Sequence, residues 1–127
     1  MIVADASAAV AALTSDGLAR ERLSRLPIHA PHLIDYEVVS AMRRRVISGA
    51  ITAAEGRHAI SQWTRIGVER YPAGGLLTRM WELQLNLTAY DAAYAALAEA
   101  LECPLVTADG RLANAPGVRC EVQVVPR

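Results

Sequence analysis

Along the whole chain, short apolar runs alternate with longer stretches in which apolar residues recur at helical spacing. Ile2-Val3-Ala4 reads as a short strand that stops at Asp5. Residues 7–13 are Ala-rich and helical, and Gly17 precedes a second helical piece through Leu26. Pro27 and Pro31 bracket a short extended segment around Ile28. Over residues 32–47, Ile34, Val38, Ala41, Met42 and Val46 form one apolar stripe, and Gly49 follows as a helix stop. Thr52-Ala53-Ala54-Glu55 has the form of a capping box, opening a helix that runs to about Ile66. Residues 67–71 are a short strand candidate and 72–75 a turn, after which 76–87 and 89–101 read as two helices. Pro104-Leu105-Val106-Thr107 is a buried strand followed by a turn at Asp109-Gly110, and residues 121–125 make the last strand.

Short apolar strands separated by one or two helices predict an α/β three-layer sandwich, with a central, mostly parallel sheet of about five short strands flanked by helices. A chain of 127 residues suits one domain over 1–127. Right-handed crossovers place helices on both faces, and ligands in such sheets bind beyond the carboxyl ends of the strands, near the switch in strand order. The chemistry is therefore sought there.

Thirteen basic and thirteen acidic residues cancel, so overall charge does not announce a polyanionic partner. Every cation is arginine; the clusters Arg43-Arg44-Arg45 and Arg20, Arg22, Arg25 suit phosphate or carboxylate, or a solvated helix face. Cys103 and Cys120 sit in segments expected to be buried, where free thiols pack as small hydrophobes. No apolar run approaches the roughly 20 residues needed to cross a bilayer. The opening Met1-Ile2-Val3-Ala4-Asp5 is unlike a signal peptide, which makes the cytoplasm the expected location and the membrane no partner.

Four acids stand where this topology converges. Asp5 ends the first strand, and Asp109 lies two residues past Thr107 of the fourth. Glu37 lies early in the helix after the second strand, bordering the stripe of Ile34, Val38 and Ala41. Asp91 opens the helix before the fourth strand, bordering Tyr94, Ala95 and Ala98. Singly, each has an ordinary structural explanation: Asp5 as a helix cap, Asp91 as a first-turn acid after Thr88, Asp109 in a turn, Glu37 on the surface. Gathered, they repel one another and desolvate badly unless a cation joins them. Aspartates and glutamates without His or Cys make a hard-cation site, suited to Mg²⁺ or Mn²⁺ and to phosphodiester hydrolysis. Ser7 and Thr107, two residues from Asp5 and Asp109, are placed either to orient a carboxylate or simply to cap backbone.

Other chemistries lack their signatures. His29, His32 and His58 show no metal-ligand pairing, and His29 and His32 flank Pro31 in an expected loop, facing solvent. No phosphate loop, G-x-G-x-x-G or G-x-S-x-G motif occurs. Trp63, Trp81, Tyr90 and Tyr94 fall on helices, where packing explains them.

The opening Ile2-Val3-Ala4-Asp5-Ala6-Ser7-Ala8 resembles that of PIN-domain proteins, especially VapC-type toxins. So does Ile34-Asp35-Tyr36-Glu37-Val38, where Glu37 rather than Asp35 matches the second acid. The run from Asn86 to Glu99, which includes Thr88-Ala89-Tyr90-Asp91, is similar to the family's central motif, and Leu105-Val106-Thr107-Ala108-Asp109-Gly110-Arg111-Leu112 to its final acidic one. The four occur in family order across essentially the whole chain. The resemblance implies a PIN fold and an Mg²⁺- or Mn²⁺-dependent endoribonuclease, the toxin of a toxin–antitoxin pair, whose acids match Asp5, Glu37, Asp91 and Asp109. It further implies a cognate VapB-type antitoxin whose tail lies over the site, and a homodimer. Ser40 stands where an asparagine is common. Arg44, Arg45 and Arg79 are candidates for holding RNA backbone. Two other readings remain: a PIN-like scaffold gripping a basic peptide without catalysis, and a phosphatase of small phosphoesters.

Overall fold

The computed structural model describes residues 1–127, and in it the short apolar runs pair into one sheet. Five strands, β1 (Ile2–Ala4), β2 (Ile28–Pro31), β3 (Val68–Tyr71), β4 (Leu105–Thr107) and β5 (Val122–Val124), lie in the order β3-β2-β1-β4-β5. Every neighbouring pair is parallel, so the mixed edge that a mostly parallel sheet allows is absent. Six α-helices make the crossovers: α1 (Ala6–Thr14), α2 (Leu18–Arg25), α3 (Leu33–Ile47), α4 (Ala53–Arg65), α5 (Leu77–Glu82) and α6 (Ala89–Leu101).

The central strands β1 and β4 are buried along their whole length because both faces of the sheet are covered there, whereas the edge strands β3 and β5 carry polar residues. Ile2, Ala4, Ile28 and Val106 pack with Ala8, Ala11 and Ala12 of α1 and with Ala19 and Leu23 of α2. Val3 and Leu105 point the other way, into a larger core with Ile34, Val38 and Met42 of α3, Trp63 of α4 and Tyr94 and Leu97 of α6. The alanines of α1 and α6 let these helices lie close on the sheet.

Local signals set the helix ends. The Thr52–Glu55 capping box forms in both directions, with bonds of 3.0 and 3.1 Å. Thr88 accepts the Asp91 N–H at 3.2 Å and starts α6. Gly49 follows α3 with φ +81°, a left-handed conformation that costs other residues strain. Gly56 of α4 sits where a Cβ would come within 2.9 Å of the Val46 side chain, so α3 and α4 approach closely there.

The helix expected over 76–87 is interrupted. A 3₁₀ turn (Gly74–Leu76) leads into α5, which stops at Glu82, and residues 83–87 are turns. Leu83 is buried against Ala92 and Ala95 of α6, so the chain must reverse there rather than run on. Another expectation fails at His29. It lies on β2 rather than in a solvent-facing loop, and its Nδ1 is 2.7 Å from the Tyr71 hydroxyl across the β2–β3 pair. No helix is long and apolar enough to cross a membrane.

A carboxylate cleft at the strand-order switch

From β1 the chain moves outward through β2 to β3, then returns to the centre and places β4 on the other side of β1. The carboxyl ends of β1 and β4 therefore flank the switch in strand order, where crossovers diverge and leave a crevice. Asp5 follows β1 directly, and Asp109 lies just beyond β4. Glu37 comes from the second turn of α3 and Asp91 from the first turn of α6. All four line one open cleft of about 600 Å³.

Asp5 is the deepest, at 4% exposed. Its Oδ1 accepts the Ala8 N–H at 2.9 Å, capping α1, and the Ser7 hydroxyl at 2.6 Å. Its Oδ2 accepts the Thr107 hydroxyl. Ser7 Oγ also accepts the Ala108 N–H at 2.8 Å, tying the start of α1 to the end of β4. The capping and orienting roles foreseen as alternatives for Asp5, Ser7 and Thr107 thus coexist, because one carboxylate has two oxygens and several lone pairs.

The Tyr94 hydroxyl donates to Glu37 Oε1 at 2.6 Å. Tyr94 is more than packing, therefore, and its OH is the site contact that periodicity alone could not reveal. Burial pushes the carboxyls of Asp5, Glu37 and Asp91 above their ordinary range, and their mutual charge adds to this: Asp91 acts on Asp5 and Glu37, and Asp109 acts on Asp91. Asp109 is the exception. Arg111 pairs with it through Nη2 at 2.7 Å and holds its carboxyl below the usual range.

The acids do not close into a tight cage, since no three ligating side chains stand together as a ready-made coordination group. Asp5, Glu37 and Asp109 each accept from a protein donor. The donor set still fits a hard divalent cation. It is all oxygen and partly buried, and burial together with mutual repulsion leaves three of its four members protonation-prone. Mg²⁺ keeps several waters and takes few protein ligands, so a wide acidic cleft suits it better than a closed shell.

Arginines ring the acids. Arg44 and Arg45 line the cleft, as do Arg111 and Arg127, which sequence reasoning passed over because neither belongs to a basic run. Arg44 is steadied by an Nη1–Ser40 hydroxyl bond of 2.9 Å. Arg79 lies elsewhere. It pairs with Glu99 at 2.6 Å and donates to the Gly117 carbonyl at 2.7 Å, so it braces α5 against α6 and does not face the acids. Asp35, two residues before Glu37, accepts from Trp63 Nε1 at 2.8 Å and from Arg70 at 2.7 and 2.9 Å, and is likewise committed to structural contacts. Cys103 and Cys120 are free and half-buried rather than fully enclosed.

Comparison with known proteins identifies the family. The PIN domain profile matches residues 2–118. The chain is 52% identical to the VapC ribonuclease Mb0985 of Mycobacterium bovis over the full length of both. It is 43% identical to the ribonuclease VapC1 of Mycobacterium tuberculosis, covering 97% of this chain and 96% of that one. The crystal structure of PAE2754 from Pyrobaculum aerophilum superposes with a TM-score of 0.72 at 28% identity, covering 97% of this chain and 83% of the other. By profile, by full-length identity and by fold, the chain belongs to the PIN-domain family, among its VapC proteins.

Proposed function

We propose that this protein is the toxin of a VapBC-type pair and acts as an endoribonuclease that depends on Mg²⁺ or Mn²⁺. The observation that carries the reading is the cleft: carboxylates from four separate segments, Asp5, Glu37, Asp91 and Asp109, line one crevice that arginines also line. Full-length similarity to proteins named VapC ribonucleases supports RNA as the substrate.

The four acids would hold the ion. Bound there, it supplies Lewis-acid chemistry for phosphodiester hydrolysis. The chain's own residues prepare that chemistry. Ser7 and Thr107 lock Asp5 in one orientation, and Tyr94 does the same for Glu37, leaving Oε2 free of any protein bond. Arg44, Arg45, Arg111 and Arg127 offset the repulsion between an acidic floor and a polyanionic strand. Exposed Trp81, Leu85, Tyr90 and Tyr36 supply apolar surface for association with a second copy or with a VapB-type antitoxin.

Purified protein free of antitoxin, incubated with a labelled RNA, tests the proposal. Cleavage should require added Mg²⁺ or Mn²⁺, stop with chelator, and be lost in Asp91→Asn while circular dichroism stays unchanged. Equal cleavage by Asp91→Asn, or activity indifferent to chelator, would refute it.

A further inference from the structure

Among the four acids only Asp109 is neutralised by a protein cation, and the way it is held is asymmetric. Its Oδ1 accepts the Arg111 backbone N–H at 3.0 Å, which caps the 3₁₀ turn Gly110–Asn114. That bond belongs to the fold. The guanidinium adds a second, separable layer, with Nε at 3.0 Å from Oδ1 and Nη2 at 2.7 Å from Oδ2. The carboxylate is sheltered, with a side chain only 17% exposed, whereas the Arg111 side chain is 88% exposed. The anion is therefore anchored while its cation reaches in from solvent on a flexible stem. Arg111 also acts on Asp91, the acid next to it in the cleft.

A guanidinium fork fits a carboxylate and a phosphate with the same planar pair of N–H donors. An exposed ion pair is weak, so a divalent ion competing for Asp109 would displace the fork readily. Freed, it remains at the edge of a cleft whose proposed substrate is a chain of phosphates.

We propose that Arg111 is a two-position latch, pairing with Asp109 when no ion competes for that carboxylate and turning onto an RNA phosphate when Asp109 goes to the ion. This rests on the function proposed above. The latch couples metal loading to substrate capture, since the same event that completes the acidic site releases an arginine for the strand. It also predicts that one residue acts in opposite directions on two ligands.

Mn²⁺ titration calorimetry on the purified protein, with Arg111→Ala, Asp109→Asn and the double variant, tests this. Arg111→Ala should bind Mn²⁺ about two- to fivefold more tightly, the gain expected from removing one exposed ion pair. In the Asp109→Asn background the same change should give less than half that gain, because the latch has no carboxylate left to hold. Cleavage of a labelled single-stranded RNA at saturating Mn²⁺ should show a raised KM for Arg111→Ala with kcat maintained. Unchanged or weaker Mn²⁺ binding in Arg111→Ala would overturn the latch. So would an equal gain in both backgrounds, which would reduce Arg111 to a diffuse positive charge, or an unaltered KM. If the unmodified protein binds no Mn²⁺ at all, the cleft itself is misread and the latch falls with it.

Discussion

Tyr94→Phe isolates one oxygen atom. Tyr94 is 1% exposed and its ring is part of the main core, so phenylalanine keeps the packing and deletes only the donor to Glu37. Burial and the neighbouring carboxylates push the phenol far above its ordinary pKa, so the group is a proton donor at any working pH. Its bond to Glu37, at 2.6 Å, is of the charge-assisted kind, which contributes about 1.5–3 kcal/mol when both groups are shielded. Glu37 is only half-buried, and water can replace part of that bond. Net stability should accordingly fall by about 1.5 kcal/mol, the lower end of the range.

The effect on metal binding should be larger than this. Without the hydroxyl, nothing in the protein fixes the rotation of the Glu37 carboxylate, and loss of such an orienting partner costs about 10- to 100-fold in metal affinity. The hydroxyl also lowers the Glu37 pKa against burial and against the charges of Asp91 and Asp5. Removing it lets protons compete more strongly, so the defect should widen as pH falls. Mn²⁺ titration calorimetry beside urea denaturation separates the two effects, and Tyr90→Phe, an exposed tyrosine on the same helix, is the control. Unchanged Mn²⁺ affinity in Tyr94→Phe would refute the argument that Glu37 is an oriented ligand.

Three further outcomes are expected. Asp5→Asn should abolish RNA cleavage and Mn²⁺-induced stabilisation without lowering the metal-free melting point, because burial already disfavours the Asp5 charge and Asn still caps α1; a fall of more than about 5 °C in a thermal scan would contradict this. The raised carboxyls of Asp5, Glu37 and Asp91 favour the folded state while protonated, so metal-free stability should decline as pH rises from the ordinary carboxyl range through their raised values. The thermal shift from Mn²⁺ should grow over that same interval, and a shift independent of pH would count against a carboxylate site. Arg79→Ala should cost about 1–3 kcal/mol in chemical denaturation, between the values for exposed and buried pairs, since Arg79 and Glu99 are only 19% and 13% exposed. Mn²⁺ affinity in that variant should be unchanged, and a change would place Arg79 in the site after all.

Much of this protein was decided locally and could be read without coordinates. Continuous apolar runs such as Ile2-Val3-Ala4 and Leu105-Val106-Thr107 announce strands buried on both faces, and Thr52–Glu55 and Thr88 announce helix starts through bonds that span only three residues. The positions of Asp5 and Asp109 at strand ends followed from the same short-range logic. The tertiary structure alone decided which polar side chains meet. Tyr94 and Glu37 are 57 positions apart, Thr107 and Asp5 102, and Arg79 read as a candidate for holding RNA backbone until α5 was laid beside Glu99. Periodicity says which face of a helix is buried, but the partner found there depends on how far each crossover carries it across the sheet. The cleft therefore belongs to the strand order β3-β2-β1-β4-β5, a property of the whole chain that no segment encodes by itself.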